Sequence, residues 1–496
     1  MKKYWPIILG LSLFKLLIHC FGNQNYGFHR DELLHLSVSK HLDWGYMEFP
    51  PFIAVVGKLS HFLFGYSLFG TRLFPTLAGI TILILCCKIA IEIGGKKKAV
   101  FLAGLSIILF IAFYRNHMLF QPVAFDQLFW TISFYFLIRF LKTQQNQYLV
   151  YTGLTLAIGF LNKYTIFILL LSIVVSLFLT QGKKLLQNKW FYLTGLMALL
   201  IVLPNVIWQI THDFPILKHF QKLNEIQLEQ LDAFDFVKNQ LHAPFTLLLA
   251  LLGVWALFFD TSISQYKAVG LTFILVFLLM WGLKSKGYYF YAAYPVVFAF
   301  GAYKLEKLTA SRNVVLYSVV GFISLLSFYF IPKSIPVLPI KAYIAYEKLE
   351  PQENGRYILT SDYADMFGWE EEVACIASIY HSLSEEEKEK CILLAENYGE
   401  ACALSILGEK YNLPEPVCSH GSFWLWGPGK ASGEIVITLG IEKPVIEKFF
   451  RTHQHLKTIQ HNYAIDEENN IPVYLCKQPK ITLKEIWPTL ESHVFD

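Results

Sequence analysis

The sequence predicts a multi-span α-helical membrane protein with a soluble α/β domain at its C-terminal end. Three observations predict it. Hydrophobic residues make up 54% of the 496 and charged residues only 16%, with a mean hydropathy of +0.42. In an ordinary soluble domain charged residues alone are about 25%. Residues 1 to about 332 hold repeated apolar runs near the roughly 20 residues that a membrane-crossing helix needs. From about 340 to 496 the charged residues return and no such run appears. The expected division is a membrane-embedded part over 1–335 and an extracytoplasmic α/β part over 340–496. The net charge of +4 is mild and argues for no nucleic-acid partner.

About eleven spans are expected, at 4–21, 71–93, 97–114, 123–141, 148–161, 164–181, 190–208, 242–260, 266–283, 288–305 and 313–331. The first begins like a signal peptide, with Lys2 and Lys3 before an apolar run. Lys15 interrupts that run and no A-x-A site follows, so it reads as an uncleaved span. Orientation follows from the basic residues of the short loops. Lys2, Lys3, Lys96, Lys97, Lys98, Lys142, Lys183, Lys184, Lys189, Lys304, Lys307 and Arg312 all fall on one side, which is then cytoplasmic. The opposite face receives the 22–66 loop, the turns at 115–122, 162–163 and 284–287, the 209–241 loop and the C-terminal part.

The first outer loop is the most informative stretch. Between Tyr26 and Pro51 it gathers Arg30, Asp31, Glu32, His35 and Glu48 among aromatic residues. HRDELLHLSVSKHLDWG has an apolar face at helical spacing. Asp31 and His35, four residues apart, share one side of that helix. Pro50 and Pro51 stop what precedes, and PFIAVVGKLSHFLFG reads as a second helix, apolar enough to lie in the membrane interface.

Beyond 340, RYILTS, CILLAE, EIVITLG and PVYLC read as strands. The segments around 366–381, 399–410, 443–451 and 482–494 read as helices, giving a small α/β arrangement. SHGSFWLWGPGKASG is Gly- and Trp-rich. Its Gly spacing and its ending are wrong for a phosphate loop, so it reads as a packed turn. The eight cysteines show no C-x-x-C spacing and hence no zinc or redox motif, while a disulfide in the C-terminal part stays open.

The charges of the outer face are Asp31, Glu32, Glu48, Arg115, Asp126, Lys163, Lys284 and Lys286. Charge at the bilayer edge is costly and marks substrate paths. Each lysine alone reads equally as a snorkelling anchor, but all of them share a face with the carboxylates. A carboxylate pair suits a transferase that must take a proton from an attacking hydroxyl. Lysines facing it suit a phosphate leaving group. No Gly-rich nucleotide motif occurs, so a lipid-linked phosphate fits better than a soluble nucleotide donor. The rival class is a transporter or flippase of lipid-linked sugars, whose folds show repeated halves, and no internal repeat is visible here. Arg72 reads as an interfacial anchor, with a phosphate contact as the alternative. Lys15 and His19 within the first span are weaker candidates, and Arg115 with His117 is placed for a headgroup contact.

The order HRDELLHL, GYMEFPPF, VAFDQLFW, LNKYT and KSKGYYFYAAYP resembles bacterial glycosyltransferases of the protein-O-mannosyltransferase-like class. That class includes the lipid A aminoarabinose transferases and the rhizobial lipopolysaccharide glycosyltransferases. DMFGWEEEV, LAENYGEA and SFWLWGPG resemble the soluble domain of bacterial members. The resemblance implies a GT-C fold, a polyprenyl-phosphate sugar donor and a lipid, glycan or protein acceptor. Asp31, beside Glu32, matches the catalytic acid of the first outer loop, and Asp126 the second acidic position. Glu48 matches the Glu of a Glu-x-Pro stretch, where Phe49 replaces a Lys of the aminoarabinose enzymes. Lys163, Lys284 and Lys286 match residues that hold the donor phosphate, with Tyr288, Tyr289 and Tyr291 lining the same groove. No cofactor is called for, and a divalent cation stays open.

Overall fold

The computed structural model describes residues 2–228, 232–241 and 244–492. Each of the eleven expected spans falls largely on helix, with a break at Phe110 and Ile111 inside the expected 97–114 span; residues 242 and 243 lie outside the described ones. Among the described residues, five helices are long and apolar enough to cross a membrane. They are Lys2–Gly22, Leu68–Glu92, Lys189–Thr211, Thr261–Gly282 and Leu316–Lys333. Shorter apolar helices, such as Ile166–Gln181, pack beside them.

The two ends of the bundle differ in chemistry. At one end the basic turns find carboxylates. Glu92 pairs with Arg139 (2.7 Å) and Lys142 (2.9 Å), and Asp260 pairs with Lys304 (2.9 Å). At the other end the first loop folds back over the bundle. Its Arg30–Val38 helix is capped by His29, whose Nδ1 accepts from the Asp31 amide (3.1 Å), while Glu32 Oε2 accepts from the His29 amide (3.0 Å). Such reciprocal capping satisfies two amides that the helix itself cannot. The Phe52–Phe64 helix follows, with Ile53, Ala54, Gly57 and Ser60 buried and Val55, Leu59, Phe62 and Leu63 exposed. That one-sided exposure is what an interfacial helix requires. Its first amide, Phe52 N–H, donates to Leu161 O (2.9 Å) in the turn before Lys163. A Cβ on Gly57 would sit 2.9 Å from Ser39 Cβ, so the close approach of the two loop helices needs glycine there.

The C-terminal part contains one four-stranded sheet of order β1-β2-β4-β3. β1 is Cys391–Ala395, β2 Ile435–Leu439, β3 Phe450–Ile459 and β4 Ile471–Pro479. β1 and β2 are parallel, and the other pairs are antiparallel. β2 lies between two neighbours and is buried along its whole length, which is why it reads as a continuous apolar run. One expected strand fails here, and one strand forms that was not expected. RYILTS joins no sheet: its Tyr357 amide bonds to Asn462 O (2.9 Å), and Ser361 already opens a turn of helix. FRTHQHLKTI forms β3, an exposed edge strand whose polar side chains carry no alternating apolar signal. Helices are found at Trp369–Ser382, Tyr398–Leu407 and Lys443–Phe449, whereas the expected 482–494 helix holds only the short turns Leu483–Ile486 and Trp487–Thr489, and residues 493 and 494 lie outside the described ones. All eight cysteines are free.

Candidate active site

A cavity of about 640 Å³ opens where the first loop, the turns of the bundle and the C-terminal part meet. Asp31, His35 and Glu48 reach it from the loop, Arg115 and Gln121 from the turn at 115–122, and Lys163 from the turn at 161–165. Lys286, Tyr288, Tyr289 and Tyr291 come from the turn before the Tyr294–Leu308 helix, and Asp362 from the C-terminal part.

Asp31 is half-buried at the first turn of its helix. Gln121 Nε2 donates to its Oδ2 (2.6 Å), and Gln121 Oε1 accepts from Arg115 Nη1 (3.3 Å). Arg115 is gripped on its far side by Asp362, with Nε 2.7 Å from Oδ2 and Nη2 2.6 Å from Oδ1. Asp362–Arg115–Gln121–Asp31 is thus one connected chain. Burial alone would raise the Asp31 carboxyl, but the positive charge of His29, His35, Arg115 and Arg30 outweighs it and draws the group below the ordinary carboxylate range. His35 Nδ1 faces the Asp31 carbonyl, and its ring stacks on Phe49 at 4.8 Å. Desolvation lowers the His35 imidazole despite Asp31 beside it.

Glu48 is held from the C-terminal part. The Ser422 amide donates to its Oε1 (2.7 Å) and the Ser422 hydroxyl to its Oε2 (2.5 Å). Burial still raises the Glu48 carboxyl above its usual value, against those two bonds. On the opposite wall, Lys163 Nζ lies over the Tyr289 ring, 3.9 Å from its centroid. Among the described residues neither Lys163 nor Lys286 has a carboxylate within 4.0 Å, and both line the cavity, with Asp126 acting on Lys163 from farther away.

Three expected residues lie elsewhere. Glu32 is fully buried, and Arg72 with it. Arg72 Nη2 sits 2.8 Å from Glu32 Oε2, and the Phe120 amide donates to Glu32 Oε1 (3.1 Å). Glu32 therefore caps and anchors the loop and does not pair with Asp31 at the cavity, and Arg72 is no interfacial anchor. Asp126 is buried behind the cavity wall, accepting from Trp130 Nε1 (3.0 Å) and Thr165 Oγ1 (3.2 Å). Lys284 lines a separate cavity of about 290 Å³, which Lys286, Tyr288 and Tyr291 also border. Among the described residues no group of three His, Cys, Asp or Glu is arranged to hold a metal. Sequence reasoning missed Gln121, Asp362 and Ser422. The two that come from the C-terminal part lie hundreds of positions from their partners, and no local signal marks them.

The profile of the dolichyl-phosphate-mannose-protein mannosyltransferase family matches residues 48–208. That span contains Glu48, Arg115, Asp126 and Lys163. No curated protein matches the chain. Among solved structures, the chain is similar to ArnT from Cupriavidus metallidurans bound to undecaprenyl phosphate, with TM-score 0.65 and 12% identity over 94% of this chain and 97% of that one. ArnT in the apo state gives TM-score 0.64 and 12% identity over 96% and 98%. The fold is therefore a GT-C-type membrane fold with a small C-terminal sheet, and the chain is a multi-pass membrane protein.

Proposed function

We propose that the chain is an integral membrane glycosyltransferase, moving a sugar from a polyprenyl-phosphate donor to a hydroxyl of an envelope acceptor. The reaction takes place at the outer face of the cytoplasmic membrane, where residues 340–496 also lie. The acceptor is a lipid such as lipopolysaccharide, another glycan or a protein. The observation that carries this reading is one cavity lined by an oriented carboxylate and by two ammonium groups that form no salt bridge among the described residues. The family profile and the ArnT-like fold support it.

Asp31 takes the proton of the acceptor hydroxyl as its oxygen attacks the anomeric carbon. The bond from that carbon to the phosphate oxygen breaks, and the polyprenyl phosphate leaves with the electron pair. Lys163 and Lys286 face the charge that develops on the leaving phosphate, where a cation is worth more in the transition state than in the ground state. Tyr289, beneath Lys163, holds that ammonium over its ring. Purified protein, supplied with a polyprenyl-phosphate sugar pool and an envelope acceptor extract, should form a new sugar–acceptor bond. Labelled lipid moving across liposomes with no bond formed from any donor would replace this reading with a flippase.

A further inference from the structure

Two more cavities lie beyond Ser422, which holds Glu48. One of about 350 Å³ is bordered by Tyr46, Trp208, His212, Ser422, Leu425 and Trp426. The next, about 730 Å³, is bordered by His41, Trp426, Lys388, Glu389, Glu415 and Lys430. His41 and Trp426 belong to both. Ser422, which grips Glu48, lies on the same short helix, Ser422–Trp426, as the shared tryptophan. These two cavities therefore form one path, and Ser422 joins its wall to the Glu48 wall of the site.

We propose that this path binds a carbohydrate chain, the glycan portion of the acceptor, and so extends the transferase reading above, on which it rests. The lining chemistry selects the ligand class. Aromatic faces offer flat apolar platforms for the C–H faces of sugar rings, with polar groups at their edges. His41 stacks on Trp426 at 4.0 Å and His212 on Trp208 at 4.1 Å. The outer cavity carries charges of both signs, which suits hydroxyl groups. A polyanion would call for cations alone, and a lipid tail for none. The wall is also preformed. Trp424 Nε1 donates to Trp487 O and Trp487 Nε1 to Trp424 O, both at 3.0 Å. Gly427 and Gly429 take left-handed backbone (φ 90° and 81°), which turns the chain back along the cleft.

The test uses the full-length protein in nanodiscs and oligosaccharides released by mild acid from the cell envelope, read by saturation-transfer NMR without any donor. Wild type should bind them. Trp426→Ala should bind at least ten-fold more weakly, Trp426→Phe should recover most of that loss, and Lys430→Glu, on the exposed rim, should weaken binding at least three-fold. Absence of binding to wild type, equal binding by Trp426→Ala, or binding of a random peptide pool in place of the oligosaccharides would overturn the assignment. Formation of a sugar–acceptor bond by wild type, measured with the lipid-linked donor and the envelope acceptor extract, tests the transferase reading separately, so either can fail alone.

Discussion

Gln121 Nε2 stands 2.6 Å from Asp31 Oδ2, and the same amide is turned to donate there because its oxygen accepts from Arg115. Removing the carboxylate and removing its support should therefore give graded losses. Asp31→Asn should lower turnover by about 10²–10⁴-fold with normal membrane insertion. Gln121→Leu should lower kcat roughly ten-fold, the scale of one hydrogen bond to a charged group, with the donor KM nearly constant. Gln121→Glu places a second carboxylate beside Asp31, which raises the Asp31 pKa and moves the acid limb of the pH–rate profile upward. Full activity in Asp31→Asn membranes would remove this residue from the mechanism.

Lys163→Ala and Lys286→Ala should each lower kcat and raise the apparent KM for the lipid donor. Arginine at either position should rescue in part, since the charge survives while the geometry changes. Lys284 borders an adjoining cavity and not the site cavity itself, so Lys284→Ala should lower kcat by less than either Lys163→Ala or Lys286→Ala. Steady-state kinetics on the three alanine variants decides this, and a Lys284 effect as large as that of Lys163 would contradict it.

Glu32 and Arg72 form a fully buried pair. Arg72→Met leaves the Glu32 carboxylate buried without its cation, and Glu32→Leu does the reverse. Each should destabilise by about 3–5 kcal/mol. The double variant should lose much less than the sum, because neither charge is then stranded. Thermal unfolding in detergent reads all three, and additive losses would show that the pair does not act as one unit.

Glu372, Glu400 and Glu468 are buried together beneath the sheet helices, and both Glu372 oxygens lack a partner among the described residues. Burial first, then mutual repulsion, raises Glu372 and Glu400 well above the ordinary value. Burial first also raises Glu468, to about 7, with Arg30 opposing and Asp365 assisting. Folded values above unfolded ones mean that this stabilisation is full below the unfolded pKa of about 4.3. It is lost as pH climbs through the folded values. Tm should therefore fall between pH 5 and pH 8, and Glu372→Gln, neutral at every pH, should flatten that slope. Identical slopes in the two proteins would contradict the assignment.

Much of this architecture can be read from residues close together in sequence. The apolar runs marked the spans because backbone polar groups in lipid must be satisfied inside the segment. The i, i+4 spacing placed Asp31 and His35 on one helical face. What the sequence could not show lies across long loops. Asp362 meets Arg115 at a separation of 247 residues and Ser422 meets Glu48 at 374, where no periodicity reports proximity. The Asp-Glu pair misled for a physical reason. Adjacent helical residues point about 100° apart, so Asp31 faces the cavity while Glu32 turns inward to Arg72. β3 was missed because an edge strand open to water on both faces needs no apolar alternation.

The Phe52–Phe64 helix lies between two media. Val55, Leu59, Phe62 and Leu63 point outward, where a lipid leaflet would hold them. Its first amide is tied to Leu161, two residues before Lys163, and Pro50, just ahead of it, borders the cavity. Lateral pressure in the leaflet thus acts as a lever on two walls of the site at once. A thinner bilayer is therefore expected to shift the spacing between carboxylate and ammonium without changing a single residue, and turnover compared in nanodiscs of two lipid thicknesses would show it.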